Sequence, residues 1–472
     1  MPSLTTVAPD LTDRLFARLD ARLRSHIDTP VALALSGGGD SRALLALAAD
    51  WTRARGRRLL ALTVDHGLNV DSANWTARAG WAARQVGADW RGLSWDGDKP
   101  VSGLPAAARS ARHALIAEAA RQAGARVILF AHTGDDVAEA DWMRARGSTL
   151  GRVSEWSPSP AWPQGRGLML FRPLLDVARA DLRALLTARG LDWIEDPGNG
   201  DLRFARSRAR VELAAAEDPF RLPLGEGAPE GWMRVGCQYS SADPSPFQAS
   251  RCPSGRTRTT AEAAVCSSPL PPGEGYVALT RDAPDRVAAM AAVCAGGGDR
   301  PPRGDRLRSV TERLRAGGDF TATLCGARIM ADGDKVIVAR EAGEYGRHPV
   351  PTLVLRAGQA AVWDGRFEIE TGEDGWRVGP SVGRLARLSP ADRAALVGLP
   401  AAVRGTWPVL FRDDDTAPVL AQRHARVRSL VGERLALALD QTTHERDLGH
   451  AVHGAKPTNA LFSCEAFMTD VA

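Results

Sequence analysis

Apolar positions along the chain fall into two alternating rhythms. Leu11, Leu15, Leu19 and Leu23 recur every four residues with Phe16 beside them, the spacing of one face of an amphipathic helix, and Asp10 or Thr12 can cap its start. Residues 31–35, Val-Ala-Leu-Ala-Leu, then form a short continuous apolar run with the length and branching of a buried parallel strand. Residues 57–64 and 126–131 repeat that signature, and residues 90–95 carry a shorter version. Helical patterns separate them at 43–49, 71–87 and 104–124, the last Ala-rich. Strands alternating with helices predict a parallel sheet covered by helices, an α/β class.

The rhythm breaks between 218 and 275. Leu222-Pro-Leu-Gly-Glu-Gly227 and Leu270-Pro-Pro-Gly-Glu-Gly275 nearly repeat each other and bracket a tract rich in Ser, Pro, Arg, Thr and Cys. The tract reads as an insertion and is expected to be disordered; Arg251, Arg256 and Arg258 would make it basic enough to touch RNA. Helical spacing returns at 287–294 and 303–315. Residues 318–324 and 328–330 then read as a hairpin, continued by 335–340. From 350 to 425 the pattern is β-rich: residues 353–355 and 361–363 flank Gly358, and Asp364-Gly365 is a turn before 367–369. Four segments are therefore expected: 1–217, the insertion 218–275, a smaller α+β unit 276–345, and a β-rich unit with a tail, 346–472.

Composition narrows the class. Apolar residues make up 44% and charged residues 25% of the 472 positions, the balance of a soluble globular protein. No run of eighteen apolar residues and no signal-like N-terminus are present, so the expectation is a cytoplasmic protein without a membrane span. Net charge is only +4, but Lys99, Lys335 and Lys456 are the sole lysines among 60 basic residues. Arginine suits bidentate phosphate contact, which admits an RNA partner. A GC-rich coding sequence would give the same preference, so this supports RNA only weakly. All six cysteines lie at 237 or later and none forms a C-x-x-C pair, which argues against zinc or redox chemistry. His450 and His453 have a ligand-like spacing but no third partner.

Candidate chemistry gathers at the carboxyl ends of the predicted strands, where open α/β sheets bind ligands. Residues 31–35 run directly into Ser36-Gly37-Gly38-Gly39-Asp40-Ser41, and a helix follows. Strand, glycine turn and helix aim free backbone N–H groups and a helix dipole at an anion. Ser36 and Ser41 can add hydroxyls, and Asp40 is a candidate Mg²⁺ ligand beside phosphates. The second strand ends in Asp65-His66-Gly67-Leu68. The fourth delivers His132-Thr133-Gly134-Asp135-Asp136, with Glu139 one turn on. Clustered carboxylates beside a phosphate site suit Mg²⁺ ligation, with Asp136 the second candidate, or general-base work. Arg109 and Arg112 share one helix face.

The hexapeptide at 36–41 resembles the SGGxDS signature of the PP-loop ATP pyrophosphatases. Residues 64–68, Ala108-Arg109-x-x-Arg112, and Ala131-His132-x-x-Asp135-Asp136-x-x-Glu139 together resemble successive blocks of the tRNA(Ile)-lysidine synthases within that superfamily. So do Arg172-Pro173-Leu174-Leu175 and Trp193-Ile194-Glu195-Asp196-Pro197-x-Asn199, continuing through Asp201, Phe204, Arg206 and Arg210. The blocks cover about 30–210. There are departures: His113 stands where that family usually has Tyr, Thr133 where a second His is common, Ala140 where Thr follows the Glu, and Ser207 where Asn is usual.

The resemblance implies a Rossmann-like (adenine nucleotide alpha hydrolase-like) N-terminal domain with smaller α+β domains after it. It also implies ATP and Mg²⁺ as cofactors, and a tRNA(Ile) with a CAU anticodon and free L-lysine as substrates. In the implied reaction, O2 of the wobble cytidine is adenylated with loss of pyrophosphate, and the lysine ε-amine then displaces AMP. His132, Asp135 and Asp136 are open alternatives for deprotonating that amine, and Arg109 and Arg112 are candidates for holding phosphates or the RNA backbone. Asp65, His66, Glu139 and Arg206 are further candidate site residues. Residues 276–345 would be substrate-recognising, with Arg303, Arg306 and Arg313 facing tRNA, and 346–472 would bind tRNA as well. Members of that family are often dimers, so a homodimer is admissible. Rival readings are another PP-loop enzyme, such as a tRNA thiolase or an amidotransferase-like synthetase, or a tRNA-binding relative disabled by the insertion. The thiolase reading wants a cysteine near the loop, and the first 236 residues have none.

Overall fold

The computed structural model describes residues 7–148, 151–195, 200, 203, 205–215, 275–413 and 416–448. The expected insertion therefore lies outside the described residues except for Gly275, and so do His450 and His453.

The first part of the chain runs α1 (Val7–Arg22), β1 (Val31–Ala34), α2 (Gly39–Ala54), β2 (Leu59–Asp65), α3 (Ser72–Gln85), β3 (Asp89–Ser94) and α4 (Leu104–Gln122). It continues with β4 (Val127–Leu129), α5 (Gly134–Ala145), β5 (Trp156–Pro158), β6 (Met169–Phe171), α6 (Arg179–Ala188) and α7 (Ala205–Ala215). Six strands form one sheet in the order β3-β2-β1-β4-β6-β5. All neighbours are parallel except β5, which runs antiparallel to β6 at the edge. Strand alternation divides the core in two. Val31, Leu33, Leu59, Ala61, Val127, Leu129, Met169 and Phe171 pack against α1, α2, α3 and α6. Ala32, Leu60, Leu62, Ile128, Leu168 and Leu170 pack against Ile116, Ala117 and Ala120 of α4. Both sheet faces are covered, which is why these strands read as unbroken apolar runs. The chain steps outward from β1 to β3, then crosses back to β4 on the other side of β1. That reversal opens a crevice at the carboxyl ends of β1 and β4.

A second sheet, antiparallel, consists of β7 (Tyr276–Leu279), β8 (Phe320–Leu324), β9 (Ala327–Asp332) and β10 (Lys335–Arg340), in the order β7-β10-β9-β8. Helices α8 (Asp285–Ala295) and α9 (Gly304–Arg315) cover it. Residues 353–429 form two small antiparallel sheets around buried Trp363, Phe367 and Trp407. The expected turn is present: Asp364 and Gly365 both have positive φ (52° and 63°) and join paired strands Ala361–Trp363 and Phe367–Thr371. Residues 353–354, by contrast, pair with Arg377 and Val378 in the other sheet.

Residues 431–448 do not stay with their β-rich neighbours. Helix Val431–Ala438 puts Val431 and Leu435 into the core of the second sheet, while Leu437 and Leu448 join the core beneath α1. The segment is fastened there by polar contacts. The Arg57 guanidinium and Glu445 carboxylate, both buried, pair at 2.9 Å, and Trp156 Nε1 donates to the Thr442 carbonyl at 2.9 Å.

Candidate active site

A cleft of about 780 Å³ occupies the crevice. Its floor is the turn after β1. Gly37 has φ +85°, a region only glycine enters cheaply, and a methyl group there would lie 2.6 Å from Ile194 Cδ1. The Ile194 N–H donates to the Gly37 carbonyl at 3.0 Å, so residues 193–195 roof the loop. Gly38 caps α2, and Gly38, Gly39, Asp40 and Ser41 line the cleft with the positive end of that helix. The Ser41 hydroxyl donates to the Gly38 carbonyl at 2.9 Å and lies 3.0 Å from Ser36 Oγ, which fixes the turn.

The β4 turn is equally constrained. The Thr133 N–H and hydroxyl donate to Asp136 Oδ2 at 2.9 and 3.1 Å, a reciprocal capping box that starts α5. Thr133 is fully buried, which gives a local reason for a small side chain there. Burial works against ionisation of Asp136, but the Thr133 N–H, with His132, Arg179 and Arg206 nearby, outweighs it and lowers the pKa. Asp40 goes the other way: burial raises its pKa, with Arg179 opposing. Asp135 serves differently. Its Oδ2 accepts the Arg179 N–H at 2.8 Å and so caps α6, and it is not among the cleft-lining residues. Glu139 is 1% exposed; its Oε1 accepts from Arg210 Nε at 2.6 Å and Arg179 at 3.3 Å, while its buried Oε2 has no partner among the described residues.

Of the residues expected from the sequence, the cleft brings together Ser36, Gly38, Gly39, Asp40, Ser41, His66, Arg109, Arg112, His132, Asp136 and Arg206. Gly37, Glu139 and Asp135 support it from behind. Asp65 lies apart from the lining and accepts the Gly67 N–H at 2.8 Å, closing a turn. Arg313 of α9 lies over the Phe320 ring at 4.1 Å, away from the cleft. Asp196, Pro197, Asn199, Asp201 and Phe204 lie outside the described residues.

One residue was missed. Arg179, the first residue of α6, reaches Asp40 at 3.1 Å, Glu139 at 3.3 Å and Asp136 at 3.8 Å. Burial opposes its charge, but Asp40 and Asp136 raise its pKa. Two signals were available: an arginine opening a helix, where the dipole disfavours a cation, and an acidic cluster needing a counter-charge.

The cleft is electropositive, with six arginines and three carboxylates in its lining. Burial lowers the pKa of Arg112 to about 10 and shifts Arg109 in the same direction; in each case neighbouring arginines add to it. His113, Phe130 and His132 stack in sequence with centroid spacings of 5.3 and 5.9 Å. Burial holds His113 at about 3 and His132 at about 4, so both imidazoles are neutral at pH 7. The arrangement suits a polyphosphate along the loop and a polar reaction partner facing His132 and Asp136. Asp40 and Asp136 offer two carboxylates there, a donor set that fits Mg²⁺ completed by phosphate and water. Among the described residues no group of three or more His, Cys, Asp or Glu is arranged to hold a metal by itself.

Fold and site together define a PP-loop ATP-binding protein, and the family model for the PP-loop domain matches residues 11–217. The chain is 43% identical over 436 residues to a tRNA(Ile)-lysidine synthase of Caulobacter vibrioides, covering 90% of this chain and 97% of that one. A Hyphomonas neptunium tRNA(Ile)-lysidine synthase is 33% identical over 72% of this chain and 88% of its own, and one from Brucella anthropi 35% over 71% and 73%. The chain belongs to the tRNA(Ile)-lysidine synthase family. Among its described residues no helix is long and apolar enough to cross a membrane.

Proposed function

We propose that this protein converts the wobble cytidine of a CAU-anticodon tRNA(Ile) to lysidine, using ATP and free lysine. The carrying observation is the cleft itself: a phosphate loop at the sheet's switch point, facing an arginine-rich wall and a neutral histidine, in a chain of this family. The backbone donors of residues 38–41 and the α2 dipole hold the β- and γ-phosphates as the leaving group. Cytidine O2 then bonds to the α-phosphorus as the bond to pyrophosphate breaks. C2, now bearing AMP as a leaving group, accepts the lysine ε-nitrogen, AMP departs, and the nitrogen gives up its proton. Asp40 and Asp136 would hold Mg²⁺, which supplies charge neutralisation for the phosphates.

The His132 imidazole is neutral at pH 7 and lines the cleft, so its free nitrogen can accept a hydrogen bond from the amine and take the proton that the nitrogen sheds as the C–N bond forms. The positive field of Arg109, Arg112 and Arg206 favours the neutral amine before attack. Asp135 has Oδ2 engaged in the α6 cap and does not line the cleft, which supports His132 or Asp136 over it as the base. Arg109 and Arg206 line the same wall and would meet the phosphates or the RNA backbone. Among the described residues the free cysteines are Cys294 and Cys325, both outside the cleft, which supports lysine over a sulfur donor.

Omitting lysine tests the reading. With α-labelled ATP and a CAU transcript, label should accumulate on the RNA and be chased off as AMP when lysine is added. Pyrophosphate release without label on RNA would point to another acceptor.

A further inference from the structure

Arg179 sits where a cation between Asp40 and Asp136 would sit. Its guanidinium faces three carboxylates drawn from two other helices, at 3.1, 3.3 and 3.8 Å. The position does not serve α6, because a cation at a helix N-terminus opposes the dipole. It is nevertheless firmly placed: Asp135 holds its backbone N–H, which fixes where the side chain starts. The three contacts are unequal. Glu139 is also paired with Arg210 at 2.6 Å, so it stays neutralised when Arg179 leaves. Asp136 has one oxygen committed to Thr133, and the other lies 3.6 Å from Arg206 and 3.8 Å from Arg179. Asp40 has Arg179 as its ion-pair partner among the described residues. Departure of Arg179 would thus uncover Asp40 fully and leave Asp136, still near Arg206, with one cation fewer.

We infer that Arg179 is a placeholder cation: it occupies the metal position at Asp40 and Asp136 until metal and nucleotide arrive together. A guanidinium carries one delocalised charge, and Mg²⁺ carries two on a small ion that dehydrates reluctantly. Metal alone does not displace a guanidinium held by Asp40 and Glu139, whereas metal already ligated by phosphates does. The released guanidinium, still tethered beside Glu139, then faces the same polyphosphate. The consequence is that the protein takes up metal with nucleotide and not before it. This rests on Asp40 and Asp136 being the metal carboxylates.

Mn²⁺ binding followed by electron paramagnetic resonance, on the full chain, tests it. Without nucleotide, wild type should bind Mn²⁺ weakly, and R179Q at least about tenfold more tightly, since a unit charge within 4 Å is removed. R179K, one cation reaching fewer carboxylates, should fall between them, and it serves if R179Q does not fold. Asp40→Asn in the R179Q background should abolish the gain. Affinity in R179Q or R179K no tighter than wild type would overturn the proposal. Mn²⁺ binding alongside a non-hydrolysable ATP analogue that is unaffected by D40N would instead remove the metal reading beneath it.

Discussion

Gly37→Ala is the sharpest perturbation of the phosphate loop, and its cost can be worked from two features. An alanine at φ +85° pays about 1–2 kcal/mol for the left-handed conformation. Its methyl group would meet Ile194 Cδ1 at 2.6 Å, and driving Ile194 off its rotamer adds about 0.5–1.5 kcal/mol. If the loop keeps its shape, the total appears as roughly 1.5–3.5 kcal/mol of lost stability. If the loop relaxes instead, the donors tilt away and the same energy appears as about 10- to 300-fold weaker ATP binding. Urea denaturation and nucleotide titration on one preparation would separate the two, and their sum should be conserved. Gly39→Ala is the control: its methyl would lie 3.6 Å from Trp193 Cδ1, an ordinary contact, without positive φ, so stability should hardly change. Adding Ile194→Ala to Gly37→Ala should recover the steric part but not the conformational part. Wild-type stability together with wild-type ATP affinity in Gly37→Ala would refute the reasoning.

Other expectations are independent of it. Asp135→Asn should cost about 1 kcal/mol of stability through the α6 cap and leave turnover within about tenfold, whereas Asp136→Asn should lower turnover at least about 100-fold; equal losses in steady-state assays would contradict this division. Glu445→Ala leaves Arg57 buried without its carboxylate. Because the Thr29 carbonyl still accepts from Arg57 at 2.8 Å, the loss in urea melts should be about 3 kcal/mol, the low end for such pairs. His113 has its pKa depressed from an unfolded value near 6.5 to about 3, so the unfolded chain binds the extra proton and stability falls as pH drops below 6.5. His113→Phe should remove about 1.4 kcal/mol of the stability difference between pH 7.5 and pH 5.5, measured by denaturation at both.

The parts of this molecule that were legible in the sequence are those governed by local rules. Residues 31–41 announce a buried strand, a glycine turn and a helix start because each needs particular residue types in a fixed order, and β1 and α2 follow at Val31–Ala34 and Gly39–Ala54. The same holds for the Asp364-Gly365 turn. What stayed hidden depends on distant parts of the chain. Arg179 acquires its meaning only when α6 packs on α2 and brings it to Asp40, 139 residues away in sequence. Asp135 and Asp136 look equivalent as neighbours, but helix geometry sends one to the α6 cap and the other to the cleft. Residues 431–448 carry no local sign that they return to α1, because Leu437, Thr442 and Glu445 find partners more than 250 residues earlier.

Transfer of labelled lysine to two tRNA(Ile) transcripts, one with a CAU and one with a GAU anticodon, tests the central claim most directly. With ATP, the wild-type protein should label the CAU transcript alone, and Asp40→Ala should label neither. Equal labelling of both transcripts, or no labelling by a folded protein that still releases pyrophosphate, would contradict the account.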